Sequence, residues 1–367
     1  MTEEGKSQET ENGNQNRNSS QTNKQLSYFL NQIFCFCVCL DCLDLVGRKK
    51  EMGTIRVPQT VPSPEDDCDR LKKAFQARLA DEKGIIWVLG RRNAEQRRKI
   101  RDTYQQLYNE SLIQSLQTKV YGDFMKALVL WAYDPPERDA RLANEALKSK
   151  KKDIKQLQVI VEIACASSPQ HLMLMRQAYC SLFDCSIEED IIANVSPPLR
   201  KALLCLVSSY RYDGEVVDSN VASLEAATLH EAIEKKQLDN DDVVWILATR
   251  NIFQLKATFA FYRGNYGKPI DEDIKGNGLL ESIFRMVIWC LESPEKHFAE
   301  VVRASIIGIG TDENALSRAI VTRAEIDMAK IKEEYYNVNK ETLANAVTGD
   351  TSGSYKDFLL TLVGEQL

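Results

Sequence analysis

Four segments of this chain repeat one another around a tyrosine that recurs every 73 to 83 residues. In three segments an arginine stands twelve residues before the tyrosine, and in all four an aliphatic residue stands eight and twelve residues after it. The tyrosines are Tyr104, Tyr179, Tyr262 and Tyr335; the residues before them are Arg92, Ser167, Arg250 and Arg323; the aliphatic residues are Leu112, Leu116, Ile187, Ile191, Ile270, Ile274, Leu343 and Val347. Spacings of four residues keep side chains near one face of a helix. Because the unit is too long for a short solenoid repeat, the pattern predicts four small helical bundles.

The local patterns also favour helices. Apolar stretches at residues 85–89 and 243–247 are each centred on a tryptophan, and the first is followed by an amphipathic stretch. No alternation of apolar and polar residues joined by Asn-Gly or Asp-Gly turns is found. We therefore expect an all-α fold, with the repeated aliphatic residues, the tyrosines, Trp87 and Trp245 in the core. The repeated arginine is expected to cap or bridge within each unit.

The last segment alone carries a glycine-rich loop, Gly308-Ile309-Gly310-Thr311, followed far downstream by Asp350. Glycine tolerates positive φ, so such a loop can aim several backbone carbonyls at one point. A distant carboxylate would complete the cage. A set of oxygens that is part backbone and part carboxylate suits a hard cation such as Ca²⁺.

At this point the chain resembles the annexins, and specifically plant annexins, over about residues 52 to 367. The stretches that carry the resemblance are Gly308-Ile309-Gly310-Thr311-Asp312-Glu313, Leu247-Ala248-Thr249-Arg250 and Ile320-Val321-Thr322-Arg323. The resemblance implies four five-helix repeats that form a curved disc and bind anionic phospholipid through calcium on the convex face. The expected divisions are a leader at 1–51, a tail at 52–65, and repeats at 66–136, 137–212, 213–295 and 296–367.

The family's type II calcium motif is G-x-G-T, then 38 residues, then Asp or Glu, and the interval from Thr311 to Asp350 fits it. The resemblance implies main-chain ligands at Ile306, Gly308 and Gly310 and a side-chain ligand at Asp350. Calcium takes six to eight oxygens, so water and a lipid phosphate would fill the remaining positions. We expect lipid contacts from the apolar and hydroxyl side chains of the same loop, which are Ile307, Ile309 and Thr311.

The other three repeats lack this motif. At the carboxylate position they carry Lys119, Asn194 and Asn277, and their loops have lost both glycines. A lysine at a ligand position puts a positive charge where a dication would bind. The sequence therefore predicts one calcium site, in repeat four.

The degraded loops of repeats one to three are basic, although the whole chain has a net charge of −6. We expect lipid headgroup contacts from Lys150, Lys151 and Lys152 in repeat two, since a basic residue near an anionic surface is worth roughly 1 kcal/mol. The alternative function is a calcium-independent membrane or cytoskeletal scaffold that uses these loops, with actin as a candidate partner.

Enzymatic chemistry has little support in the sequence. The three histidines show no metal or triad spacing, and no G-x-x-x-x-G-K-[ST] phosphate loop exists. Asp350-Thr351-Ser352-Gly353 matches a short D-x-x-G motif, but the calcium site already claims Asp350. We expect a peripheral membrane protein of the cytoplasm that is not an enzyme and has no nucleic-acid partner.

The first 51 residues form a separate segment. Residues 1–25 are polar and predict disorder. Residues 26–46 are apolar but contain Asn31, Gln32, Asp41 and Asp44, which argue against a spanning helix. Met52 resembles the usual start of a plant annexin, so an upstream start codon is one interpretation of this leader. Two other interpretations concern the clustered cysteines Cys35, Cys37, Cys39 and Cys42. These cysteines could be acylated beside the basic patch, or they could bind a metal.

Overall fold

The computed structural model describes residues 52–150, 153–276, 278–308 and 310–366. The expectations for the leader and its cysteines therefore lie outside the described residues. Twenty helices and no strand are found within the described ranges, so the all-α prediction is confirmed. The longest of these helices has 16 residues, and none of the described helices is both long and apolar enough to cross a bilayer.

Each of the four repeats contributes five consecutive helices. The helices of the first two repeats are α1 (Pro64–Gln76), α2 (Glu82–Leu89), α3 (Ala94–Tyr108), α4 (Leu112–Lys119), α5 (Gly122–Ala132), α6 (Pro135–Lys148), α7 (Ile154–Cys165), α8 (Pro169–Phe183), α9 (Ile187–Asn194) and α10 (Leu199–Ser208). Those of the last two are α11 (Ser219–Glu234), α12 (Asp241–Thr249), α13 (Ile252–Tyr266), α14 (Ile270–Asp273), α15 (Leu279–Glu292), α16 (Pro294–Ile306), α17 (Glu313–Arg323), α18 (Met328–Asn339), α19 (Leu343–Asp350) and α20 (Gly353–Leu362).

The third helix of every repeat ends in the same way. The residue five positions after the repeat tyrosine adopts a left-handed conformation and donates its amide to the preceding turn, which satisfies an end carbonyl. These residues are Asn109 (φ 52°), Asp184 (φ 54°), Gly267 (φ 77°) and Lys340 (φ 58°). Only the glycine is a strong signal for this turn in sequence, so the repeat is more regular in backbone than in residue type.

The buried apolar residues form two clusters. One cluster joins repeats one and four, and the other joins repeats two and three. The four repeat tyrosines and the eight repeated aliphatic residues are all buried, which confirms the prediction that they pack in the core. Burial of this apolar area is the main favourable term for the fold.

Polar side chains connect repeat two with repeat four. Glu162 on α7 pairs with Arg318 on α17 and accepts a hydrogen bond from His297 on α16, 2.9 Å away. All three side chains are buried, and the buried charges of Glu162 and Arg318 persist only because they are paired and hydrogen-bonded.

The repeated arginine bridges within its unit, as expected. Arg92 makes two hydrogen bonds to Asp67 at 2.7 and 2.8 Å, Arg250 pairs with Glu225, and Arg323 pairs with Asp327. Repeat two has serine instead of arginine at this position. The main-chain carbonyl just before this serine, that of Ala166, accepts a 2.9 Å hydrogen bond from Arg323 of repeat four.

The prediction that both tryptophans pack in the core is wrong for Trp245, which is 61% exposed. Trp87, at the matching position of repeat one, is half-buried, since it packs against the core of repeats one and four and the Arg70 guanidinium covers its ring at 3.9 Å. Thr228 stands in repeat three where repeat one has Arg70. Threonine is too short to cover an indole ring, so the ring of Trp245 stays in solvent.

Candidate metal site

The loop between α16 and α17 is built around two glycines with positive φ, Gly308 at 122° and Gly310 at 90°. No atom lies within 4 Å of a Cβ placed on either glycine, so the conformation and not a lack of space requires glycine there. Asp312 ends the loop, because its side chain accepts the Ala315 amide and its own amide donates to Ser305 at 2.7 Å.

A hydrogen bond joins this loop to the end of α19. The Thr311 hydroxyl donates to the main-chain oxygen of Asp350 at 3.1 Å. Among the described residues no hydrogen bond or ion pair engages the Asp350 carboxylate, which is exposed. The contact brings the two halves of the predicted ligand set together, and an open loop beside a free carboxylate suits a hard cation.

The apolar side chains of the loop differ in exposure. Ile306 is half-buried and packs against the core of repeats one and four. Ile307 is 59% exposed. Ile309 lies outside the described residues. Of the two described isoleucines, Ile307 is the one that presents an apolar surface to solvent.

In the other three repeats, the residues at the positions of the ligand carboxylate and the loop threonine differ in type and in their contacts. Lys119 lies exposed at the end of α4. Asn194 turns its amide back to the Asp190 carbonyl of its own helix at 2.8 Å. In repeat three Leu238, at the position of the loop threonine, is buried in the core; Asn277 lies outside the described residues.

Several lysines in or beside these loops are paired with carboxylates within the protein. Lys148 pairs with Asp190 at 2.5 Å, and Lys235 pairs with Glu231 of its own helix. Of the three lysines predicted to contact lipid, Lys150 is exposed and has no ion pair among the described residues. Lys151 and Lys152 lie outside those residues.

One lysine of repeat two contacts the candidate site itself. The Lys155 ammonium lies 2.6 Å from a carboxylate oxygen of Asp312. Burial alone would raise the pKa of Asp312, but the hydrogen bonds from Lys155 and from the Ala315 amide hold that pKa below its usual value. The two residues are 157 positions apart, and no sequence motif links them, so reasoning from sequence missed this pair.

A cleft of about 320 Å³ beside Asp350 contains residues of repeats one and four. Repeat one contributes Glu82, Asp123 and Tyr121, and repeat four contributes Glu313 next to the loop. Tyr121 is 75% exposed. The loops of the first repeat therefore lie on the same side of the protein as the candidate site.

The remaining metal-binding side chains do not converge in the described residues. No group of three or more His, Cys, Asp or Glu that could hold a metal is found there. The histidines make internal contacts instead: His171 with Asp139 at 2.7 Å, His230 with Tyr262 at 3.1 Å, and His297 with Glu162. The six described cysteines are free thiols.

Comparison with known proteins gives one consistent family. The annexin sequence profile matches residues 66–131, 138–206, 225–282 and 297–362. Annexin D3 of Arabidopsis thaliana is 53% identical over 321 residues, which are 86% of this chain and 100% of that protein. The structure of annexin III superposes with a TM-score of 0.79 at 30% identity, covering 85% of this chain and 97% of annexin III. A calcium-bound structure of annexin (Sm)1 superposes with a TM-score of 0.75 at 27% identity, covering 86% and 93% of the two chains.

Proposed function

The chain belongs to the annexin family, and from this premise we propose that it binds anionic phospholipid membranes reversibly through a single type II calcium site in its fourth repeat. Annexins are in general calcium-dependent phospholipid-binding proteins that associate peripherally with membranes. The observation that carries the proposal is the 3.1 Å hydrogen bond from Thr311 to Asp350, because it holds the glycine loop against the only carboxylate of the ligand set.

The main-chain oxygens of Ile306, Gly308 and Gly310 and the carboxylate of Asp350 would hold the ion. Calcium, when bound, would supply a positive charge that protein and lipid phosphate can share. These residues provide four or five oxygens against the six to eight that calcium takes. The ligand set alone therefore predicts weak binding in solution and tighter binding when a lipid phosphate fills a vacant position, since each ligand favours the other.

The net charge of the protein favours such a bridge. The first 51 residues contain six Lys/Arg and seven Asp/Glu, so the rest of the chain carries −5 of the total −6. A net acidic body gains nothing overall from approaching an anionic bilayer. A divalent cation at the contact point removes the repulsion locally.

Apolar and basic side chains around the site would add to membrane affinity. Ile307 and Ile309 would enter the headgroup boundary, where burying one such side chain is worth about 1.5–3 kcal/mol when complete. Thr311 would contact the headgroups next to them. Lys150, Lys151 and Lys152 would contact headgroups directly. Lys150 supports this role, since it is exposed and forms no ion pair with any described residue.

On this account the chain is a peripheral membrane-binding protein of the cytoplasm and not an enzyme. Actin is a further candidate partner for which the described surface offers no specific argument.

The test is sedimentation of the full chain with vesicles of phosphatidylserine and phosphatidylcholine across calcium concentrations. We expect pelleting that rises with calcium, that a chelator reverses, and that requires phosphatidylserine. Equal pelleting in chelator would contradict calcium dependence and favour the scaffold that uses the basic loops. In that case the variant Lys150→Gln should lower the pelleting, most strongly at low salt.

A further inference from the structure

We propose that Lys155, from the calcium-free second repeat, sets the calcium concentration at which the fourth-repeat site fills, by neutralising the carboxylate of Asp312. The inference rests on the proposed function, because it presupposes calcium in that site. It assigns an affinity-setting role to a residue that lies in a different repeat from every predicted ligand.

The geometry makes Lys155 the partner of Asp312. Lys155 lies in the first turn of α7, at the position where repeat four has its loop threonine, Thr311. Its ammonium lies 2.6 Å from one oxygen of Asp312, while the other oxygen accepts the Ala315 amide. The lysine side chain is 68% exposed and that of Asp312 is 31% exposed.

Asp312 is close enough to the candidate site for its charge to matter. It is two residues after Gly310, so its Cα lies at most about 7.6 Å from that of a predicted ligand residue. This distance is within the Debye length of about 8 Å at physiological ionic strength. An unpaired Asp312 would attract a dication, and the ammonium of Lys155 offsets that attraction.

A purely mechanical role for Lys155 predicts the opposite sign. If the ion pair acted only as a strap that holds the loop in its binding conformation, removing the lysine would weaken calcium binding. If the lysine acts through its charge, removing it exposes Asp312 and strengthens calcium binding. The loop already has two other attachments, from Asp312 to Ser305 and from Thr311 to Asp350, so we expect the charge to dominate.

The experiment is a lipid-free calcium titration of the full chain by calorimetry, at low and at high salt, for the wild type and four variants. Lys155→Met should bind calcium about two- to fivefold more tightly at low salt, because an exposed charge pair is a modest interaction. The gain should shrink at high salt, since screening removes it. Lys155→Arg should resemble the wild type. Asp312→Asn should bind more weakly, while asparagine keeps the helix cap.

Lys235→Met is the matched control, because Lys235 is a loop lysine of repeat three whose partner, Glu231, is in its own helix. It should leave the calcium affinity unchanged. Weaker or unchanged binding in Lys155→Met, with a normal thermal unfolding temperature, overturns the role of Lys155. The proposed function itself fails if the wild type does not pellet with phosphatidylserine vesicles in calcium, or if Asp350→Asn pellets as the wild type does, so the two failures are distinguishable.

Discussion

The Thr311 hydroxyl donates a hydrogen bond to the main-chain oxygen of Asp350, and this contact joins two segments that are 39 residues apart. On one side is a loop held open by two glycines with positive φ, and on the other is the last residue of α19. This contact explains why the interval between the loop and the acid matters. The helices between Thr311 and Asp350 bring the chain back to the loop at Asp350, which carries the free carboxylate.

Removing this hydrogen bond should weaken calcium binding without unfolding the protein. Thr311→Val keeps the shape of the side chain and removes the donor, whose net contribution is about 0.5–1.5 kcal/mol. We expect the calcium Kd to rise about two- to tenfold, measured by calorimetry with a soluble phosphatidylserine analogue. Thr311→Ser should retain most of the affinity. The control is Thr348→Val, because within the described part of the chain the Thr348 hydroxyl donates only to the Ala344 carbonyl of its own helix; equal losses in both valine variants would contradict a specific role for Thr311.

The backbone conformation of Gly310 should be required for calcium binding more than for stability. An alanine there has space but must adopt φ near +90°, which is strained for a residue with a Cβ. We expect Gly310→Ala to lose calcium affinity as the loop relaxes. Gly264→Ala is the control, because Gly264 lies within α13 with open space around it; it should raise the free energy of unfolding by roughly 0.5–1 kcal/mol. Unchanged calcium binding in Gly310→Ala would show that the loop carbonyls are not ligands.

Arg92 should be important for stability and not for membrane binding. Its side chain is 0% exposed, and its partner Asp67 is 2% exposed. Removing one partner of a buried pair leaves an uncompensated charge, which costs about 3–5 kcal/mol. We expect Arg92→Ala to lower the free energy of unfolding by that amount in a urea titration. Arg98→Ala, which removes an exposed arginine of the same repeat, should change it by less than about 0.5 kcal/mol. Similar effects of the two changes would contradict the role given to the Arg92–Asp67 pair.

Acid should destabilise the protein through His297. Burial first, and the nearby positive charge of Arg323 second, lower the pKa of His297 from 6.5 to about 4. The unfolded chain therefore takes up a proton between pH 6.5 and 4 that the folded chain does not. The stability that the neutral histidine provides is complete above pH 6.5 and falls by about 3 kcal/mol on acidification to pH 4.

His297→Gln removes this titration and keeps an amide that can donate to Glu162. The difference in unfolding free energy between pH 7 and pH 4.5, measured by urea titration, should therefore be smaller in the variant than in the wild type. The same difference in both proteins would mean that His297 titrates normally in the folded state.

Much of this organisation could be predicted from the sequence, and the failures have identifiable causes. The repeated apolar residues and tyrosines are core residues because helical spacing determines which face is buried. Trp245 was misassigned because its exposure depends on a covering residue, Arg70 in repeat one, that is replaced by Thr228 in repeat three. The ion pair between Lys155 and Asp312 depends on how repeats two and four pack, which no local pattern encodes. The pairing of Lys148 could not be predicted either, because its partner Asp190 is 42 residues away in the sequence.

The most direct test of the account is the pelleting of Asp350→Asn with phosphatidylserine vesicles across calcium concentrations, beside the wild type. Glu341→Gln is the matched control, since it removes one exposed acid of the same repeat that has no ion pair among the described residues. We predict that the wild type and Glu341→Gln pellet with calcium and that Asp350→Asn does not at the same calcium concentrations. Calcium-dependent pelleting of Asp350→Asn equal to that of the wild type would contradict a single site in repeat four.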